Sequence, residues 1–305
     1  MIYILLLLTS TSFIFAANNI GMIRSSFSTI AGKPYWIYMA LVIIGFISGY
    51  LLEGYKVGSN IAIRLVSLNQ DAALISLFVT LSVMVAFTIL RLPASISNVA
   101  LGAILGPAIF FGLRISYSDV YSILLAWVIA PVTSAVLGVI IYNTYVLAIS
   151  KLSFLQVARL NRMYGIGTVL FTSYSLSANN LGLLIGFSSG VTSDFAILFA
   201  AVLGSILFSS FVASTLGYRV AVLSPAAYYS ALLSGSLTLW FYTQFGIPAS
   251  LTQTVVASIL SLSMIRKPSV VNSRIIFEIL GSWPFFFVFT LLLSYAISFF
   301  FPRLF

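Results

Sequence analysis

Five stretches of this chain reach or approach the roughly 20 apolar residues that a helix needs to cross the hydrocarbon core of a bilayer. They are Tyr35 to Leu52, Ala72 to Leu90, Ile123 to Ile149, Phe195 to Leu216 and Ile275 to Phe301. Of the 305 residues 61% are hydrophobic and only 6% are charged, far from the roughly one quarter charged residues of a soluble domain. In lipid every backbone amide must be satisfied within the protein, which leaves helices or a closed barrel. A barrel would need short alternating segments, and none occur. The expectation is an all-α, polytopic membrane protein.

The chain has no cysteine and no histidine, which removes disulfides, thiol nucleophiles, histidine-based triads and the usual zinc sites. No nucleophilic enzyme chemistry is therefore expected. The net charge of +9 is spread along connecting segments, with no basic face beyond Arg266-Lys267, so no nucleic-acid partner is expected. These cations read as anchors at the lipid interface with a secondary bias toward anions. Met1 to Ala17 is apolar and ends in small residues, but it lacks a basic leader and resembles Tyr164 to Ala178 in mid-chain, so it reads as a first helix.

Short polar words occur twice. Phe15-Ala16-Ala17-Asn18-Asn19-Ile20-Gly21 is echoed by Leu176-Ser177-Ala178-Asn179-Asn180-Leu181-Gly182, Leu92-Pro93-Ala94-Ser95 by Ile247-Pro248-Ala249-Ser250, and Ala126-Trp127 by Ser282-Trp283. The offsets are 161 from Asn19 to Asn180, 155 from Pro93 to Pro248 and 156 from Trp127 to Trp283. This is an internal duplication. It divides the chain into a first membrane repeat over residues 1–150 and a second over 151–305, joined by a basic amphipathic linker at about 151–163. If each half crosses the membrane an odd number of times the halves are inverted relative to each other, an arrangement that places transport sites between repeats.

Each half is expected to hold a helix ending at its Asn-Asn pair, further spans, a short segment opened by Pro-Ala-Ser and a long span with the tryptophan. Proline disfavours helix in the residue before it and Ser95 is a good N-cap, so a helix should start there. Its body, Val99 to Leu113, contains Gly102, Gly106, Pro107 and Gly112 and reads as two half-length helices of a re-entrant hairpin. A helix that begins inside the membrane leaves unpaired amides and a partial positive charge, which suit an anion. The Asn-Asn pairs have two readings, interhelical hydrogen bonds or a ligand site, and their recurrence beside glycine leaves the two about even. Trp127 and Trp283 read as packing residues.

The chain resembles the inorganic phosphate transporter (PiT) family, whose relatives include sulfate permeases. Members carry two copies of a Gly-Ala-Asn-Asp-x-Ala-Asn signature, and here Ala16 to Met22 and Ser177 to Leu183 look like them. Pro93 to Asn98 and Pro248 to Gln253 look like the family's Pro-Val-Ser-Thr-Thr-His hairpin openings, and Ala126 to Pro131 is similar to its Ser-Trp-x-x-Ser-Pro. The departures fall on functional positions: Asn19 and Asn180 stand for aspartates, Met22 and Leu183 for asparagines, Ile96 and Leu251 for threonines, and Asn98 and Gln253 for histidines. Both copies changed in parallel.

The resemblance implies inverted-topology repeats with re-entrant helical hairpins and a secondary-active permease for an inorganic oxyanion, phosphate first, working by alternating access. Sulfate or a related oxyanion is the first alternative; a passive anion channel or exchanger and a non-transporting relative are the others. The expected substrate-binding residues are Asn18, Asn19, Ser95, Ser97, Asn98, Asn179, Asn180, Ser250, Thr252 and Gln253, as hydroxyl and carboxamide donors. No organic cofactor is expected. Coupling would come from Na⁺ near the carboxamide oxygens of Asn19 and Asn180, or from H⁺ carried on the substrate, in a symport. The acids Glu53, Asp71, Asp119, Asp194 and Glu278 read as capping or loop residues near segment ends, Glu278 being the one to test. Expected partners are the oxyanion, membrane lipid and a second copy in a homodimer; the expected location is the cell membrane, as a multi-pass protein.

Overall fold

The computed structural model describes residues 2–24, 35–90, 95–188, 190–216, 223–266 and 273–300. These form the helices α1 (Ile2–Arg24), α2 (Tyr35–Ser59), α3 (Gln70–Ile89), α4 (Ile96–Phe110), α5 (Tyr117–Ile149), α6 (Phe154–Leu176), α7 (Gly182–Ile185), α8 (Val191–Leu216), α9 (Pro225–Gln244), α10 (Leu251–Arg266) and α11 (Ser273–Phe300). Two π-helical segments interrupt this order, Asn60–Leu65 after α2 and Ser177–Leu181 between α6 and α7. An isolated bridge pairs Val66 with Ile115, and no strand occurs among the described residues. Six helices carry apolar stretches long enough to span a bilayer, Ile2–Gly21, Tyr35–Leu65, Gln70–Ile89, Tyr117–Ile149, Val191–Phe208 and Trp283–Phe300. The protein is therefore a multi-pass membrane protein.

Polarity is distributed as lipid demands. Leu52, Phe78, Val132, Phe199 and Leu292 are exposed on the outside, while Ser97, Asn98, Ser134, Thr172, Asn179, Ser234 and Thr254 are buried. Most buried hydroxyls find partners nearby. Serine and threonine return a bond to the carbonyl four residues back, as Thr88 does to Met84 and Thr243 to Leu239, or bridge helices, as Ser134 does to Thr254. Helix starts are capped from the sequence: Asn69 accepts from the Ala72 amide, and Ser153 with Gln156 forms a capping box at α6. The stretch read as a linker is thus largely the first turns of α6.

Helix pairing is reciprocal. α1 packs on α8 and α2 on α6; α4 packs on α11 and α5 on α10; α1 meets α3 as α6 meets α9. At residue level the correspondence follows the sequence offsets. A Cβ on Gly49 would strike the carbonyl of Tyr174, and a Cβ on Gly204 would strike the carbonyl of Phe13. Gly204 lies 155 residues after Gly49 and Tyr174 lies 161 after Phe13. Small residues also line the second crossing, where Gly102 and Gly106 of α4 face Thr290 and Ser294 of α11 and Gly138 of α5 faces Ser258 of α10.

Two sequence expectations are corrected. α4 is one unbroken helix, because Gly102 and Gly106 serve as its contact seam with α11 and the left-handed residue, Gly112 at φ +64°, comes just after its end. The Asn-Asn pairs do not end their helices: α1 continues to Arg24, and the second copy passes through a π turn into α7. Pro93, Ala94, Lys267, Pro268, the Gly217–Val220 stretch and Val271-Asn272 lie outside the described residues.

Because lipid supplies no hydrophobic drive between helices, close packing at these glycines holds the bundle. We predict that Gly49→Ala and Gly204→Ala each destabilise the protein by about 1–3 kcal/mol through overpacking against backbone. Gly167→Ala, where nothing lies within 4 Å, should be neutral or slightly stabilising. Thermal unfolding of detergent-purified variants followed by tryptophan fluorescence checks this; equal midpoints for Gly49→Ala and Gly167→Ala would remove the argument.

Candidate functional site

The second Asn pair clamps the turn that precedes α10. Asn179 donates through Nδ2 to the Ile247 carbonyl at 3.0 Å and to Thr243 Oγ1 at 3.0 Å, and its Oδ1 accepts from the Ala249 amide at 2.9 Å. Asn180 Nδ2 donates to the Ala249 carbonyl at 2.7 Å. A carboxamide is a peptide-like group with donor and acceptor side by side, so two in succession can hold an extended backbone as a neighbouring strand would. The π-helical segment carries both residues across the face turned to that turn.

The first pair reproduces part of this. Asn18 Nδ2 donates to Thr88 Oγ1 at 2.9 Å, and Thr88 precedes Thr243 by the repeat offset of 155. Asn19 instead turns back on its own helix, donating to the Phe15 carbonyl at 3.0 Å. α1 has no π turn at this point, and the counterpart of Ala249, Ala94, lies outside the described residues. Among the described residues nothing donates to Oδ1 of Asn19 or of Asn180.

The starts of α4 and α10 are buried. Ser95 precedes α4 as expected, yet its hydroxyl pairs with Ser97 Oγ at 2.9 Å and caps no amide. The first backbone amide that closes a bond is Val99 to the Ser95 carbonyl, so the amides of Ile96, Ser97 and Asn98 face no backbone acceptor within the helix. At α10 Ser250 Oγ does cap, accepting from the Gln253 amide at 3.2 Å. Thr252 makes no hydrogen bond among the described residues, and Gln253 Oε1 is buried without a partner. All ten expected residues are buried, none more than 6% exposed.

The two starts are tied crosswise. Trp127 of α5 donates from Nε1 to the Pro248 carbonyl at 3.2 Å, and Asn98 of α4 donates to the Trp283 carbonyl of α11 at 3.0 Å. The rings of Trp127 and Phe287 meet edge to face with centroids 5.7 Å apart. One continuous path thus runs from Pro248 through Trp127, Phe287 and Trp283 to Asn98. Trp127 packs its ring on Phe287, in keeping with the packing role expected, and in addition holds the Pro248 carbonyl through its indole N–H, while Trp283 contributes its main-chain carbonyl. Thr88 and Thr243 were missed as well; their recurrence at the same offset is the signal that finds them.

The chemistry of this arrangement is anion-friendly in some groups and already engaged in others. The Nδ2 groups of Asn18, Asn19, Asn98, Asn179 and Asn180 donate within the protein, each retaining one further hydrogen at most. The hydroxyls of Ser250 and Thr252, Nε2 of Gln253 and the first amides of α4 remain as donors. No cluster of three or more acidic side chains that could hold a metal exists among the described residues. The side chain of Glu278 lies outside them.

Two cavities lie apart from these residues. One of about 370 Å³ is lined by Lys56, Asn60, Arg64 and Gln244 among others, and one of about 200 Å³ lies between α2 and α8. Above the first, Lys56 pairs with Glu53 at 2.8 Å and with Gln244 at 2.7 Å, and Asn60 donates to the Gly246 carbonyl at 2.9 Å. Gly246 has φ +68° there, a conformation that favours glycine.

Comparison with known proteins agrees with this architecture. Residues 155–298 match the model of the Phosphate transporter family. A protein of Methanocaldococcus jannaschii with the provisional name phosphate permease is 26% identical over 292 residues, covering 94% of this chain and 93% of that protein. A protein of Chlamydia muridarum with the same provisional name is 33% identical over 72 residues, 24% of this chain and 17% of that protein. A solved structure described as the sodium-dependent phosphate transporter superposes with a TM-score of 0.85 at 15% identity, covering 99% of this chain and 98% of that one, a likeness of fold. The second half of the chain is thus similar to the phosphate transporter family, and nearly its whole length is similar to a relative provisionally named a phosphate permease.

Proposed function

We propose that this protein is a permease for inorganic phosphate in the cell membrane, working by alternating access between two inverted repeats, 1–150 and 151–305. The observation that carries this reading is the pair of buried helix starts, α4 and α10, at repeat-related positions and joined through Trp127, Phe287 and Trp283. A tetrahedral oxyanion accepts hydrogen bonds in every direction. The uncapped amides of α4, the hydroxyls of Ser95, Ser97, Ser250 and Thr252 and the amide groups of Asn98 and Gln253 supply donors from two sides. With no formal charge among them, the site holds its anion by oriented dipoles, which suits release as well as capture. The complete burial of these residues fits an occluded state of such a cycle.

Moving one net negative charge inward against 100 mV costs about 2.3 kcal/mol, so accumulation needs a co-transported cation. The solved neighbour described as sodium-dependent supports Na⁺ in that role, and the oxygens of Asn19 and Asn180, to which none of the described residues donates, are suited to a hard cation. Sulfate is the competing cargo, because neutral donors do not discriminate the charge of a tetrahedral anion.

Two expected outcomes test the reading. Phosphate should raise the unfolding midpoint of the purified protein, with chloride as control, and the shift should shrink in Ser95→Ala and Ser250→Ala; a ligand at 100 times its Kd contributes about 2.7 kcal/mol. A shift for sulfate alone would reassign the cargo, and none for either would remove the site. In proteoliposomes an inward Na⁺ gradient should drive labelled phosphate above its electrochemical equilibrium. Uptake that follows voltage alone would instead mark a passive channel.

A further inference from the structure

The cavity of about 370 Å³ lies where α2 leaves the bilayer: the apolar span that begins at Tyr35 ends at Leu65, and the exposed residues Ser67, Asn69 and Gln70 follow. Two cations, Lys56 and Arg64, line it. Lys56 directs two of its three ammonium hydrogens to Glu53 and Gln244, which leaves one donor open. Arg64 is exposed and makes no hydrogen bond or ion pair among the described residues, so its five donors are open. Asn60 is also in the lining and is only 9% exposed. Its Nδ2 donates to the Gly246 carbonyl, whereas its Oδ1 is buried without a partner, a costly condition for a carboxamide oxygen.

These groups select one kind of ligand. Lys56 and Arg64 call for a negatively charged acceptor and Asn60 Oδ1 for a donor, and a phosphodiester of a hydroxylated alcohol offers both in one molecule. The surface beside the cavity supplies the rest of the argument. Ile37, Ile44, Leu51 and Tyr55 are exposed and succeed one another on one face of α2, a face turned to lipid in a bilayer. Tyr55 and the 79% exposed Ile63 carry that face into the cavity lining. A ligand held here has its polar end among the cations at the membrane boundary and its apolar end along α2. We propose that the cavity seats the headgroup of an anionic phospholipid of the phosphatidylglycerol type, with its acyl chains on that stripe.

The seat adjoins the turn before α10. Asn60 holds the Gly246 carbonyl, and Asn179 holds the next one, that of Ile247. A Cβ on Gly246 would strike the carbonyl of Lys56, so this turn presses on the residue that carries one of the two cations. A headgroup that orders Lys56, Asn60 and Arg64 steadies the same turn that the Asn clamp holds, and its occupancy therefore bears on phosphate movement. That link to transport rests on the permease reading above; the binding of the lipid does not.

The test uses the full-length protein, purified in neutral detergent and stripped of lipid. Dioctanoyl phosphatidylglycerol should raise the unfolding midpoint, and dioctanoyl phosphatidylcholine, with the same chains and no net charge, should not. Arg64→Gln should raise the phosphatidylglycerol concentration for half effect about tenfold, the loss of one charge-assisted pairing. Arg159→Gln, which removes an exposed arginine of α6 outside the cavity lining, should leave it unchanged. Equal shifts from both lipids, or a phosphatidylglycerol shift untouched by Arg64→Gln, would overturn the seat. A shift with inorganic phosphate that Arg64→Gln removes and Ser95→Ala spares, with none for either lipid, would assign the cavity to the free anion and overturn the lipid. If Arg64→Gln fails to fold, Ser59→Glu, which sets a negative charge in the exposed lining, decides by the same readout. In proteoliposomes, phosphatidylglycerol mixed into phosphatidylcholine should speed phosphate–phosphate exchange by the wild type more than by Arg64→Gln; an equal response would overturn the link to transport. Failure of the wild type to exchange phosphate, with the lipid shift intact, would overturn the permease reading and leave the headgroup seat standing.

Discussion

Backbone pressed against backbone is what the rest of this structure depends on. Where Gly49 meets the Tyr174 carbonyl and Gly204 meets the Phe13 carbonyl, the absence of a side chain lets two helices approach until their main chains touch. In a bilayer, burying leucine gains little, since lipid is as apolar as protein, so dispersion at short range and interhelical hydrogen bonds carry the assembly. These two contacts fix α2 on α6 and α8 on α1, and everything that reaches the buried polar centre is referred to those axes.

From that frame the centre is assembled by exchange. Each tryptophan-bearing helix packs against the short helix of the opposite half, α5 on α10 and α11 on α4, and each contributes a hydrogen bond to the start of its partner. Neither buried helix start is supported by its own half alone. The Asn179 and Asn180 clamp then holds the turn before α10 from a third direction, through main-chain atoms of Ile247 and Ala249. Polar groups inside lipid are costly unless paired, and this network pairs most of them while leaving a small set of donors around the starts of α4 and α10.

Much of this was legible in the sequence, for identifiable reasons. Low charge and long apolar runs can mean little but membrane helices, and α2, α3, α5, α8 and α11 fall on the stretches read that way. α4 and α10 begin directly after the two Pro-Ala-Ser words, Ser250 capping its helix as a local signal should while the Ser95 hydroxyl turns to Ser97. Glycine is ambiguous without its neighbours: Gly102 and Gly106 suggested a broken helix, and only α11 lying against them shows why an intact helix needs them. Asn18 and Asn19 suggested a helix end for the same reason, but Asn18 is engaged by Thr88 of α3 and Asn19 bonds the Phe15 carbonyl four residues back, and the helix runs on. The roles of Trp127 and Trp283 were hidden because one works through a long-range bond to a carbonyl and the other through its own main-chain oxygen, for which the indole gives no clue.

The π turn at Ser177–Leu181 has a consequence for symmetry. By admitting one more residue into a coil it swings Asn180 outward to Ala249, whereas Asn19, on a regular coil, folds back to Phe15. Among the described residues the second asparagine of each pair thereby takes an unlike pose, Asn180 braced on a distant loop and Asn19 on its own helix. On the permease reading proposed above, a cargo held between these two carboxamides meets one wall braced from a distance and one braced from within its own helix, so escape toward the two faces of the bilayer need not cost the same.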